Sequence, residues 1–175
     1  MLKNLTLAAA MALAAPAIAM LPAEAQTQTA PAQQLDAQSF VEQAGANNLF
    51  EIRSSEIMLE GQPSEEVVGF SQRMIEDHRA AGERLREAAP EGATVPEELP
   101  DRFAGMIERL EGASGEERES AYLEMQVMAH EEAVALFERY AGEGEDEDLR
   151  AFAEETLPAL RAHLDEARRL AGEST

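Results

Sequence analysis

The chain has 175 residues, with 35 Asp and Glu against 14 Lys and Arg, which gives a net charge of −21 at pH 7. Such a negative field repels nucleic acid and anionic lipid headgroups, so we expect no nucleic-acid partner. Cysteine is absent, which excludes disulfides, thiolate-metal sites and a lipoprotein anchor. The length and the 45% hydrophobic content suit one domain with its own core.

The first 25 residues have the pattern of a secretory signal peptide. Lys3 precedes an apolar stretch over residues 5–20, and residues 23–25 (Ala-Glu-Ala) have the small-x-small pattern of a signal-peptidase site. Pro16 interrupts the apolar stretch, which is shorter than the roughly 20 residues that span a bilayer. We therefore predict a signal peptide over 1–25, cleavage after residue 25 with residues 17–19 (Ala-Ile-Ala) as a second possible site, and a mature chain in the periplasm or outside the cell with no transmembrane segment.

A disordered linker is predicted over residues 26–37, because Gln, Thr, Ala and Pro dominate it without periodicity. Beyond it, over residues 38–172, the apolar residues follow a helical period and never alternate as they do in strands. We predict an all-α domain over this range.

The first two helices are delimited by local signals. One is predicted over 39–60, beginning at Ser39 and Glu42, which have the spacing of a capping box. The next is predicted over 64–89 and must end before Pro90, which cannot continue a helix. The short turn between them predicts a helical hairpin.

A long connection separates this hairpin from the rest of the domain. Residues 90–113 are rich in Pro and Gly and contain one short amphipathic helix near 102–110. Two further long helices are predicted over 114–141 and 146–170, the last with a kink at Pro158. Two hairpins joined by a long crossover have the layout of a ferritin-like four-helix bundle, and the alternative is an up-down-up-down bundle.

The sequence contains three histidines, and each lies on the apolar face of a different predicted helix. His78, His130 and His163 point inward from the second, third and fourth long helices, and Glu51 points inward from the first. A rise of about 1.5 Å per residue puts all four in the middle third of the bundle, with His163 least well aligned. We therefore predict a shared site of Glu51, His78, His130 and His163 that binds a metal ion.

The ligand types favour a mononuclear site for Zn, Cu or Ni. A di-iron centre in such a bundle needs Glu-x-x-His pairs, but Ile75, Val127 and Leu160 stand three residues before the histidines. This excludes a standard di-iron centre. Met58 and Met74 lie on the same faces as the site residues and would offer thioethers to copper, although methionine more often fills a core.

An alternative is a non-enzymatic envelope or stress-associated module, whose histidines form a buried polar network with Gln126, Glu51, Ser55 or Tyr122. The sequence has no phosphate loop, dinucleotide fingerprint or activated nucleophile, so no catalytic residue or organic cofactor is predicted. A redox or hydrolytic enzyme at the same site is a third alternative, which would also require an open coordination position and a substrate cleft. Asp77 turns away from the apolar face of its helix and is predicted to be a surface charge.

Several short motifs resemble those of one family of exported bacterial proteins. They are Phe40-Val41 and Asn48-Leu49-Phe50-Glu51 in the first helix, residues 73–78 (Arg-Met-Ile-Glu-Asp-His) in the second, Ala121-Tyr122-Leu123 with Gln126-Val127 and His130 in the third, and Leu157-Pro158-Ala159-Leu160 with His163-Leu164 in the fourth. The family is domain of unknown function 4142, whose members are often labelled outer-membrane proteins. The resemblance implies a ferritin-like bundle in the cell envelope, with Glu51 and the three histidines as recurring positions. It implies no reaction.

Overall fold

The structure is a computed structural model that describes residues 36–172. The regular elements over these residues are all helices: α1 (Ala37–Glu60), α2 (Glu65–Ala88), α3 (Asp101–Gly112), α4 (Gly115–Glu143) and α5 (Glu147–Leu170). This confirms the predicted all-α class. The predicted signal peptide and all but the last two residues of the predicted linker lie outside the described residues.

Aspartates cap the first and last helices. Asp36 accepts a bond from the Ser39 backbone N–H at 2.8 Å, and the Ser39 hydroxyl also donates to it. The prediction that Ser39 caps α1 is therefore wrong, because the carboxylate three residues earlier already satisfies the exposed amide. At α5, Asp146 accepts from the Leu149 N–H at 2.9 Å. Pro158 lies inside α5, which continues past it, so the proline does not end the helix.

Helices α1 and α4 are antiparallel neighbours. The Asn47 amide donates to the Ala129 carbonyl at 3.1 Å, and the Ser55 hydroxyl bonds the Tyr122 hydroxyl at 2.8 Å. Residue numbers therefore rise along one helix as they fall along the other. Because α1 and α2 form a hairpin, α2 and α4 must run parallel.

The same antiparallel pairing relates α2 to α5. The Arg84 guanidinium bonds Glu155 at 2.6 Å, and the Asp77 carboxylate bonds His163 at 2.9 Å. Helices α4 and α5 form the second hairpin. Each long helix thus contacts two antiparallel neighbours in a bundle-like arrangement.

The connection between α2 and α4 must return along the bundle, since these helices are parallel. Its helix α3 packs on α1 and α4, with the Phe103 ring stacked on Phe50 at a centroid distance of 4.6 Å. The segment before α3 lies close against α1 at Gly45, where a Cβ atom would lie 2.8 Å from Cδ of Pro96. Glycine at that position therefore permits the close approach of the crossover.

The buried apolar residues form two clusters, and the histidines lie between them. On α4 one cluster ends at Ala129 and the other begins at Ala133, with His130 between. On α5 the corresponding boundary falls between Leu160 and Leu164, on either side of His163. The centre of the bundle is therefore a polar layer between two apolar ones, which excludes bulk water from it.

None of the helices in residues 36–172 is both long enough and apolar enough to cross a membrane.

Candidate metal centre

The three histidines meet in the centre of the bundle. His78, His130 and His163 are 4%, 0% and 5% exposed, and their ring centroids are 5.5–5.6 Å apart in every pair. One ring nitrogen from each histidine lies within 4.8 Å of those of the other two. The structure thus brings His163 to the other two, although the helical rise alone placed it less well.

One nitrogen of each ring is held by an oxygen acceptor. The contacts are His78 Nδ1 to Asn48 Oδ1 at 3.1 Å, His130 Nδ1 to the Gln126 carbonyl at 2.9 Å, and His163 Nε2 to Asp77 Oδ2 at 2.9 Å. Because carbonyl and carboxylate oxygens accept hydrogen bonds, the ring nitrogen in each contact carries the proton. The tautomer and the orientation of each ring follow from these contacts.

The second nitrogen of each ring is buried, and among residues 36–172 it has no hydrogen-bond partner: His78 Nε2, His130 Nε2 and His163 Nδ1. We call these atoms the inner nitrogens. In a neutral imidazole the nitrogen without a proton carries a lone pair, so three helices each contribute one lone pair. Burial without a partner costs free energy, and a metal ion would remove that cost.

The electrostatics of the layer favour neutral rings. Burial lowers the pKa of His130 to about 4 and the pKa of His78 well below its ordinary value. Burial also lowers the pKa of His163, although the hydrogen bond to Asp77 opposes that shift. All three rings are therefore neutral at pH 7, the state in which imidazole binds metals without first losing a proton.

Glu51, the fourth predicted site residue, lies beside His130. Its side chain is fully buried, and its Oε1 is 3.4 Å from His130 Nδ1, the nitrogen on the anchored side of that ring. Burial raises the pKa of the Glu51 carboxyl well above its usual value. Within the described part of the chain, the set of residues whose possible ligand atoms all lie within 4.8 Å of one another consists of the three histidines and includes no carboxylate. Glu51 is therefore adjacent to the histidine group without belonging to it.

Asp77 has a role that the sequence did not indicate. Its side chain is 45% exposed, in agreement with the predicted outward position, yet its Oδ2 anchors the buried His163 ring. A helical wheel gives the direction of a side chain but not its reach across an interface, which explains the omission. The only sequence feature that could have indicated this anchoring role is the position of a carboxylate directly before an inward-facing histidine.

Asn48 is the second anchoring residue that the sequence did not single out for that role. Its amide faces Gly82 of α2, where a Cβ atom would lie 2.8 Å from Asn48 Nδ2. Gly82 therefore leaves the space in which the Asn48 amide reaches His78.

The other residues that were predicted as partners of the histidines or of the metal make different contacts. Ser55 and Tyr122 bond each other rather than a histidine. Met58 and Met74, the thioethers considered for copper, are buried in one of the apolar clusters. The histidines are thus anchored by Asn48, Asp77 and the backbone, with Glu51 beside them.

Comparison with known proteins assigns the family but adds no function. A family model described as Domain of unknown function (DUF4142) matches residues 21–170, which include all five helices. No curated protein and no solved structure matches the chain. The match covers most of the chain and includes Glu51 and all three histidines, and on this basis the protein belongs to the DUF4142 family.

Proposed function

We propose that this protein is an exported, ferritin-like module that binds one divalent transition-metal ion through His78, His130 and His163. The observation that carries the proposal is the meeting of three buried rings from three helices: one nitrogen of each lies within 4.8 Å of those of the other two, and each ring has an inner nitrogen without a partner within residues 36–172. The opposite nitrogen of each ring is held by an oxygen, as is usual for histidines that bind metals.

The donor set favours Zn, Cu or Ni, because neutral imidazole suits these ions. Metal–nitrogen bonds of about 2.0–2.1 Å in a tetrahedral site place the nitrogens about 3.3 Å apart. The ring nitrogens here lie within 4.8 Å of one another, so binding requires the rings to approach by up to about 1.5 Å. Metal binding should therefore tighten the contacts among α2, α4 and α5.

Glu51 remains a predicted member of the site. An ionised Glu51 would offset the charge of a dication bound to three neutral ligands, and its position against His130 Nδ1 suits that role. Metal titration of a Glu51→Gln variant tests whether the carboxylate also enters the coordination sphere.

The proposed fold and location rest on separate arguments. The parallel α2 and α4, joined by a crossover that packs on the bundle, support the ferritin-like topology over the up-down-up-down alternative. The predicted signal peptide over 1–25 supports export to the periplasm.

The competing function is a structural module with a polar core. Within residues 36–172, Ser71 and Tyr140 also have a buried polar atom without a partner, but the histidines in addition bring one nitrogen each to within 4.8 Å of one another. The structure therefore favours the metal site over the structural network.

Metal analysis of protein purified without a histidine tag tests the proposal. We expect one Zn, Cu or Ni ion per chain after loading and dialysis. At a free metal concentration about 1,000 times the Kd, binding should stabilise the fold by about 4 kcal/mol and raise the Tm by on the order of 10 °C. A protein that takes up no metal and melts at the same temperature would instead support the structural module.

Asp77 should strengthen metal binding indirectly, through its hydrogen bond to His163. Replacing Asp77 with alanine is expected to weaken metal binding by about 10–100-fold, as is typical when the partner of a ligating histidine is removed. The matched control is Glu76→Ala, which removes the same charge from the adjacent exposed position of α2. Competition with a chromophoric chelator measures both affinities, and equal values for the two variants would contradict the anchoring role.

A further inference from the structure

A groove on the surface of the bundle is lined by none of the three histidines. It lies between α1, α4 and the crossover, and it has a volume of about 530 Å³. That volume falls within the range of about 300–1,000 Å³ that is typical of sites for small molecules. Ala46, Phe103 and Leu136 form part of its walls, so the groove can hold an apolar group.

The side-chain amides that α1 places in the groove have their nitrogens bonded to backbone carbonyls. Asn47 is 8% exposed, and its Nδ2 donates to the Ala129 carbonyl at 3.1 Å. The Gln43 Nε2 donates to the Ser39 carbonyl at 3.0 Å. The amide oxygens of both side chains are acceptors for which residues 36–172 provide no donor. The groove therefore offers free acceptors to a ligand.

The uncompensated charge in the groove is negative. Its one cation, Arg102, bonds both carboxylate oxygens of Glu132 and lies over the Phe103 ring at 5.0 Å. Glu42 accepts a bond from the neutral Gln38 amide at 2.5 Å and has no ion-pair partner within the described part of the chain. The net charge of −21 adds a field that favours cations over anions.

Free acceptors, an unpaired carboxylate and apolar walls together fit one chemical class of ligand. A protonated primary amine donates three hydrogen bonds and accepts none. We propose that the groove binds a small primary amine in its protonated form. The ammonium group bonds Glu42 and the amide oxygens of Gln43 and Asn47, and the apolar body packs on Phe103. An anionic ligand would instead meet acceptors and like charge.

Three probes that share a phenyl ring separate the effect of charge from apolar contact: phenethylammonium, the neutral phenethyl alcohol and the anionic hydrocinnamate. Titration of the isotopically labelled full chain in EDTA, followed by NMR, measures each affinity without a contribution from the metal site. We expect saturable binding of phenethylammonium, with the largest amide shifts at residues 42–47 and 102–103. It should bind about twofold to fivefold more tightly than the alcohol, the range for one exposed ion pair, and hydrocinnamate should bind most weakly.

Two results would overturn this inference. One is the absence of saturable phenethylammonium binding. The other is an equal affinity for phenethylammonium and phenethyl alcohol, which would show that the groove recognises only the apolar body. Because EDTA removes free metal ions, either result is distinct from a failure of the proposed metal site.

Two glutamates of α1 offer a matched pair of variants. Glu42 lines the groove, whereas Glu60 is exposed at the other end of the same helix and lies outside it. Glu42→Gln should weaken phenethylammonium binding by about twofold to fivefold and leave the affinity for phenethyl alcohol unchanged. Glu60→Gln should bind both probes like the original chain. Equal phenethylammonium affinities in the two variants would contradict recognition by Glu42.

A second pair of variants tests the location of the ligand. Gln43→Arg replaces an acceptor in the groove with a cation, and Gln72→Arg makes the same change at an exposed position of α2. Gln43→Arg should weaken phenethylammonium binding more than Glu42→Gln does, because it adds repulsion to the loss of an acceptor. Gln72→Arg should have no effect. An affinity that is the same in both arginine variants would place the ligand outside this groove.

Discussion

Replacing His130 with alanine is expected to lower the affinity for the metal by more than about 100-fold, because even the removal of a residue that only orients a ligand costs 10–100-fold. His130 is fully buried, and it provides the only inner nitrogen from α4. Two remaining imidazoles would form an incomplete site. Chelator competition and metal analysis after dialysis both measure the loss.

A control from the same helix separates loss of the ligand from loss of the fold. Tyr122→Phe removes a buried hydroxyl of α4 and its bond to the buried Ser55, at a cost of about 1–3 kcal/mol. It touches none of the three rings, so it should keep the metal affinity. Circular dichroism should show helical spectra for both variants. His130→Ala protein that binds metal as tightly as Tyr122→Phe protein would eliminate the proposed site.

The second large effect is a loss of stability in acid by the metal-free protein. The folded-state pKa values of His78, His130 and His163 all lie below the ordinary value near 6.5, and that of His130 is about 4. In this window the unfolded chain therefore binds protons that the folded chain does not. The free energy of unfolding should fall as the pH drops below about 6.5, and for His130 the fall should continue to about pH 4.

The titration of Glu51 has the opposite effect on the free energy of unfolding. Its raised pKa means that the folded chain keeps a proton that the unfolded chain has released above about pH 4.5. Each fully shifted group contributes about 1.4 kcal/mol per pH unit, so three histidines opposed by one carboxyl give a net slope of about 1–3 kcal/mol per unit. The histidines therefore determine the sign of the net slope, so the free energy of unfolding falls as the pH drops.

Urea unfolding of metal-free protein at pH 8, 7, 6 and 5 measures this slope. The interval above pH 5 is chosen because most surface carboxylates titrate below it. Replacing a single histidine with glutamine should reduce the slope by up to about 1.4 kcal/mol per unit. A free energy of unfolding that is the same at pH 8 and pH 5 would contradict the burial of neutral rings.

Helical periodicity and chain-breaking residues were sufficient to predict most of the helices. The apolar spacing, with Pro90 and the Pro- and Gly-rich stretch after it, correctly delimited the second helix and the crossover. The same spacing placed His78, His130 and His163 on buried faces. These predictions succeeded because the direction of a side chain on a helix depends only on local geometry.

Predictions that required a choice among nearby polar groups were weaker. Ser39 was predicted to cap α1, but Asp36 does so, because both residues suit a helix N-terminus and only the backbone conformation distinguishes them. Asp77 and Asn48 were not predicted to anchor histidines. Their bonds join residues 86 and 30 positions apart in the chain, a separation at which sequence spacing carries no information about distance.

The sequence by itself determined that three histidines and one glutamate point into an all-helical core. Only the tertiary structure decided that the three rings meet as an equidistant group, with Glu51 behind His130 rather than among them. The physical reason is that the heights of His78, His130 and His163 along the bundle depend on where the crossover returns and how the helices pack. Those relative heights, together with the reach of Asp77 and Asn48, arise from contacts between distant segments and not from any local pattern.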